Sequence, residues 1–347
     1  MARQLRHNAE GGWYHITARG MGRREIFEDD RDREHFMELL SEMVGRYGVI
    51  LHAYVLMENH YHLLIETPEA NASRALQWLN LSHSMWFKTR HNHSGPVFQA
   101  RFKSIPVEGE GAWALTCGVY IHLNPVRVKA LGQGKDDIKR ERAGFLPEEP
   151  PREQVRARLA KLRGYRWSSY RAYAGYASPP EWLTCVPLWE RCCPSGKNTK
   201  TEYRRYLEDY LRRGVEEGAF ARITAALAIG GTSFVERLRR KVSRKAGPET
   251  NARAWRRLLP FEAVVTAVER VKCEPWRDFA EQRGDWGRDL VLYVARAHSG
   301  RTLAELGKLA GMSVHAVSKA VQRMSARLSE DKQLSRNLRK VLRALQN

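Results

Sequence analysis

Two histidines, His60 and His62, sit inside an apolar run that spans residues 55–68, and no other feature constrains the chain as tightly. Residues 61–67 read as a strand, preceded by a second strand over 49–57 with a break at Glu58-Asn59. Side chains alternate between the faces of a strand, so a His-x-His pair sends both imidazoles to one side. That side then carries either two ligands for one metal ion or a half-polar surface.

The flanking segments supply the rest of a sheet. Residues 13–19 and 97–107 read as strands, 30–47 as a helix with Phe36, Leu39, Leu40 and Met43 at helical spacing, and 71–91 as a second helix carrying Leu76, Leu79 and Trp86. The order βαββαβ is that of an α+β, ferredoxin-like antiparallel sheet with helices on one face. His60 and His62 are expected on the other, open face.

Residues 113–127 form an apolar segment expected to be a buried helix that stops near Pro125, because a proline disfavours helical backbone in the residue before it. Tyr120 falls on its last full turn and Asn124 at its end. Tyr120 reads either as a reactive phenol or as an ordinary core aromatic, and Asn124 either as a ligand or as a helix cap. Glu58, Glu66 and His122 are alternative ligands by proximity in sequence.

Five segments in one order resemble the REP-associated tyrosine transposases, relatives of the single-strand insertion-sequence transposases of the HUH superfamily. They are Tyr14-His15-Ile16-Thr17-Ala18-Arg19-Gly20 with Arg23-Arg24-Glu25-Ile26-Phe27; Met57-Glu58-Asn59-His60-Tyr61-His62-Leu63-Leu64; Phe98-Gln99-Ala100-Arg101-Phe102-Lys103-Ser104; Tyr120-Ile121-His122-Leu123-Asn124-Pro125-Val126-Arg127; and Trp167-Ser168-Ser169-Tyr170. The resemblance covers residues 11–185. It implies a DNA endonuclease and strand transferase acting on single-stranded hairpin or palindromic DNA, with Tyr120 as nucleophile and His60, His62 and Asn124 holding a divalent ion. Where many relatives have Asn-Arg-Gly-Asn after the first strand, this chain has Ala18-Arg19-Gly20-Met21, so contacts made by that loop are expected to differ.

The implied chemistry suits these residue types. Phosphodiester oxygens repel nucleophiles, and a divalent cation relieves that repulsion and steadies the leaving oxygen. Two imidazoles with an amide suit Mn²⁺ better than Mg²⁺, which prefers oxygen ligands, although either ion is an admissible cofactor. A phenol titrates near pH 10, so Tyr120 needs a cation or base beside it.

The 347 residues carry a formal charge of +20, from 59 Lys and Arg against 39 Asp and Glu, which favours a polyanionic partner. Arg19, Arg23, Arg24, Arg101, Lys103 and Arg127 flank the motifs and are candidate phosphate contacts; Trp78, Trp86 and Phe98 either stack on bases or are buried. Mean hydropathy is −0.56. The most apolar stretch, 111–123, is too short for a bilayer, and residues 1–8 hold no apolar secretion signal, so a cytoplasmic location without membrane contact is expected. Five cysteines without a Cys-x-x-Cys pair are expected to be reduced thiols.

Residues 132–158 read as a solvated loop passing into a short helix, and breaks at Pro179-Pro180 and 192–197 suggest domains over 1–190 and 200–347. The second is expected to be all helical, with a helix-turn-helix at about 302–327. There Gly307 permits close packing, Gly311 makes the turn, Val317 plugs the joint and Ser313 caps a helix that presents Ser313, His315, Ser318, Lys319, Gln322 and Arg323 to a major groove. This end is similar to the DNA-binding end of chromosomal replication initiators and would add double-stranded DNA as a partner; the plainer alternative is a helical hairpin used for packing or dimerisation. Either a monomer or a homodimer suits one tyrosine per chain. A non-catalytic DNA-binding regulator and an RNA binder are the rival functions.

Overall fold

The computed structural model describes residues 8–127, 150–213, 228–245, 259–299, 301 and 303–345. They divide into two compact units: one holds 8–127, 150–213 and 228–235, the other 236–245 and the described residues from 259 onward. The first unit thus runs past the expected boundary near 190–200. Most of the loop expected over 132–158 lies outside the described residues, as does Thr302 at the start of the expected 302–327 window.

In the first unit the elements follow as β1 (Gly12–Arg19), α1 (Asp30–Tyr47), β2 (Ile50–Met57), β3 (His60–Thr67), α2 (Ala72–His91), β4 (Lys103–Val107) and α3 (Trp113–Leu123). The strands form one sheet in the order β2-β3-β1-β4, with antiparallel neighbours throughout. β4 is shorter than expected: residues 97–99 pair irregularly with the last residue of β1 and the loop after it, through Gln99 N to Arg19 O and Met21 N to Val97 O.

Alternation along the strands divides the sheet chemically. Tyr14, Ile16, Tyr61, Leu63 and Ile65 take one face. There the Tyr61 ring meets Phe36 of α1 and its hydroxyl donates to Asn80 Oδ1 of α2 at 2.6 Å. The capping box of Asp29 and Asp32 starts α1, and Gly48, with a left-handed φ of 60°, ends it.

The expectation that the second face is open is corrected by α3, which lies on it. Nine of the eleven residues of α3 are buried, on all sides of the helix. A helix that is apolar all round must be covered all round, so α3 sits between the sheet and a further helical layer: α4 (Arg152–Gly164), α5 (Tyr170–Tyr173), α6 (Val186–Cys192) and α7 (Thr199–Arg213). Gly118 admits Leu188 of α6, whose Cδ1 would lie 2.7 Å from an added Cβ. His122 is clamped by Tyr203 of α7 at 2.8 Å and Ser169 at 2.7 Å. Ser169 in turn joins the backbone of Tyr54 on β2. These bonds and the buried Tyr203, Leu207 and Leu211 explain why the unit extends through α7.

The second unit, described by itself, is helical. After residues 236–245 of α8 (Thr232–Lys245), whose first turn belongs to the first unit, come α9 (Phe261–Lys272), α10 (Trp276–Phe279), α11 (Trp286–His298), α12 (Leu303–Ala310), α13 (Val314–Glu330) and α14 (Lys332–Ala344). Val268, Leu290, Leu306, Val317, Met324 and Val341 share its core. In the turn between α12 and α13, Gly311 has φ of 65° and Ser313 Oγ accepts from Ala316 N. Met312 N bonds to Gly307 O. No helix among the described residues is long and apolar enough to cross a membrane, and all five cysteines are free thiols.

A Cβ at Gly307 would stand 2.5 Å from Met312 O. Gly307→Ala is therefore expected to destabilise the second unit by about 1–3 kcal/mol, the usual cost of overpacking. Calorimetric thermal unfolding checks this; an unchanged midpoint for the second unit contradicts the tight joint.

Candidate functional site

The register between β1 and β3 builds the site. Thr17 lies opposite His62 and Arg19 opposite His60, so His15, two residues earlier on β1, shares their face. His15 Nε2 lies 2.9 Å from His62 Nδ1, with the two rings stacked at 5.1 Å. Tyr120 comes down from α3 and stands edge-on to both, 5.7 Å between ring centroids in each case. The guanidinium of Arg127 lies over the Tyr120 ring at 5.4 Å. The expected pairing of phenol and histidines on one face is present, but as a buried cluster: Tyr120 is 7% exposed, His62 7% and His15 2%.

His60 stands at the rim. Its Nδ1 is 2.7 Å from Asn59 Oδ1, so each ring nitrogen of His60 faces an amide oxygen. The Nε2 lies 3.3 Å from Asn124 Oδ1, which follows α3 in a short 3-10 turn, Asn124–Val126. Asn124 thus meets His60, the rim histidine of the pair. His122 has both nitrogens committed to Tyr203 and Ser169, and Glu66, at the other end of β3, is bound to His52.

Burial lowers the basicity of all three imidazoles. His15 is brought down to about 3, His60 to about 4, helped by the charge of Arg19, and His62 well below its ordinary value. Neutral rings at physiological pH are the form in which imidazole binds metals. Among the described residues no three His, Cys, Asp or Glu side chains form a ligand set. The donors that do converge are an imidazole nitrogen and an amide oxygen, His60 Nε2 and Asn124 Oδ1, a pair of the kind that can share a cation when the imidazole nitrogen is unprotonated. With Nδ1 held by Asn59 on His60 and by His15 on His62, each ring is oriented from behind, as metal-binding histidines commonly are.

Sequence reasoning missed His15 and Asn59. Asn59 adjoins the motif, and His15 alternates with Thr17 and Arg19 along β1, but only the cross-strand register shows that it backs His62.

Of the expected phosphate contacts, Arg19, Arg23, Arg24, Arg101 and Lys103 are exposed, whereas Arg127 is half-buried over Tyr120. Arg19 ends β1 and Lys103 begins β4, the sheet end at which His60 begins β3. Gly20 N to Asn59 O and Asn59 Nδ2 to Arg23 O draw the loop after β1 to the same end. The aromatic candidates are taken by packing: Trp78 with Tyr47, Trp86 with His35, Phe98 with Tyr61. On α13, Ser313, His315 and Lys319 are exposed and Gln322 half-buried. Two of the expected groove contacts are corrected. Ser318 is 1% exposed and faces the core, and Arg323 makes two 3.0 Å hydrogen bonds to the buried carboxylate of Asp289.

Residues 8–123 match the family model described as "Transposase IS200 like", which bears out the resemblance drawn from the motifs. No protein of curated function matches. One solved structure, "Structure of the REP associates tyrosine transposase bound to a REP hairpin", is similar at 15% identity over 54% of this chain and 93% of that chain, with a TM-score of 0.37.

The buried histidines give the first unit an acid-sensitive stability. His15 and His122 are lowered to about 3 and His83 to about 4, each by burial. The unfolded chain takes up protons near pH 6.5 that the folded chain refuses, so stability is full above that pH and is lost as pH falls towards 4. The thermal midpoint is expected to drop already between pH 6.5 and 5, before carboxylates titrate. A flat midpoint over that window contradicts the neutral, buried rings.

Proposed function

We propose that the chain is a transposase-like DNA endonuclease and strand transferase that cuts single-stranded hairpin or palindromic DNA through Tyr120, on a sheet of ferredoxin-like plan. The observation that carries this reading is the convergence of Tyr120 with the His62 ring on the face that also holds His60 against Asn124. The family match over residues 8–123 supports the same class of DNA processing.

In the proposed reaction the Tyr120 oxygen attacks a backbone phosphorus. The phenolic O–P bond forms as the P–O3′ bond breaks, the phenolic proton is lost, and the departing 3′ oxygen ends as a hydroxyl. The retained 5′-phosphotyrosine ester lets a later 3′ hydroxyl reverse the step and join strands. His60, His62 and Asn124 would hold a divalent ion, Mn²⁺ or Mg²⁺, which supplies charge withdrawal from the phosphate. Arg127, over the phenol ring, is placed to meet a phosphate brought to that ring, and the exposed cations at the sheet end would lead the strand towards it.

We further read α12 and α13 as a helix-turn-helix that engages double-stranded DNA through His315, Lys319 and Gln322. The capped start of α13, the left-handed Gly311 and the buried Val317 support this reading.

Incubating the protein with end-labelled hairpin DNA and Mn²⁺ should give a denaturant-stable protein–DNA adduct. Tyr120→Phe should abolish it, while Asn124→Ala should lower its rate at least tenfold and raise the Mn²⁺ needed. Tight binding without an adduct on any hairpin tested would leave a non-catalytic regulator, and equal competition by RNA would point to an RNA binder.

A further inference from the structure

α14 carries five cations, Lys332, Arg336, Arg339, Lys340 and Arg343, and no acidic residue. All five are exposed. Their spacing of four, three or four, and three or four residues places them in a stripe along one side of the helix, about 16 Å from end to end at 1.5 Å per residue. None joins an ion pair among the described residues. The carboxylate adjoining the stripe in sequence, Asp331, caps the helix by accepting from Gln333 N and Leu334 N. Five like charges held in no ion pair among the described residues repel one another, and a stripe of this kind costs stability unless something anionic lies along it.

The opposite side of α14 decides which anion fits. Leu334 and Val341 are buried in the core of the second unit, and Leu338, Leu342 and Leu345 pack against it. An amphipathic helix binds a bilayer by inserting its apolar face, and here that face is already used. Binders of single strands interleave cations with aromatics on which bases stack, and α14 has no aromatic residue. A rigid row of cations at one-turn intervals matches instead the dense, regular charge of a duplex, which carries one phosphate per about 1.7 Å of axis.

We propose that the basic stripe of α14 lies along the phosphate backbone of double-stranded DNA and gives the chain a sequence-independent affinity for duplex. This is separate from base reading by α13: contacts from Arg and Lys to phosphate set affinity and salt dependence, not sequence preference.

The test replaces Arg336, Arg339, Lys340 and Arg343 together by Gln in the full chain. Binding to a random-sequence 25-base-pair duplex is then measured by fluorescence anisotropy across salt concentrations. The four side chains are exposed, so the thermal midpoint should hold and a fold defect is detected separately. At 0.1 M salt the variant should bind at least tenfold more weakly, and the slope of log K against log salt should fall by about 2 to 4, near 0.9 for each phosphate no longer neutralised. An unchanged slope, or no binding of random duplex by the unaltered protein, overturns the proposal. So does loss of binding to phosphatidylserine vesicles with duplex binding intact, which would assign the stripe to a membrane surface. His315→Ala with Lys319→Ala should alter preference among duplex sequences, so failure of the stripe and failure of the helix-turn-helix reading are told apart.

Discussion

The candidate site depends on α3 lying on the histidine-bearing face of the sheet. α3 has no polar side to turn to solvent, and this, not any bond at the site, carries Tyr120 to His15 and His62. The helix is held from behind by His122 with Tyr203 and Ser169, and by the Leu188 side chain that Gly118 admits. The Trp-Ser-Ser-Tyr segment therefore acts at a distance. Ser169 ties α3 to the Tyr54 backbone of β2, and Tyr170 donates to Glu208, which Arg163 clamps with two hydrogen bonds.

The same burial sets the chemistry of the site. Burial favours the neutral form of the three imidazoles, and Asn59 and His15 hold the His60 and His62 rings in place. A hydrated His-x-His pair would exchange protons and rotamers near neutral pH. The protein gives up some acid stability for rings held in one state.

Much of this was legible in the sequence, because period-two and period-3.6 patterns are local. The strand bearing His60 and His62, the helix bearing Tyr120 and the order of elements all follow from such patterns. Tertiary placement was not legible. The apolar character of α3 all round signalled a covered second face, yet the strand pattern alone suggested an open one. His15 needed the β1–β3 register, which only pairing defines. Ser318 and Arg323 share the polar composition of a groove-reading helix, but Asp289, 34 residues earlier, takes Arg323, and the turn of α13 takes Ser318 inward.

The central claim is that His60 and His62 ligate one cation beside Tyr120. Pulsed electron paramagnetic resonance of the Mn²⁺-loaded protein tests it most directly, since imidazole nitrogens bound to the ion modulate its echo. The account predicts nitrogen coupling in the unaltered protein, reduced in His60→Ala and again in His62→Ala, and preserved in Tyr120→Phe. A spectrum without nitrogen coupling, or one indifferent to both histidine replacements, contradicts it.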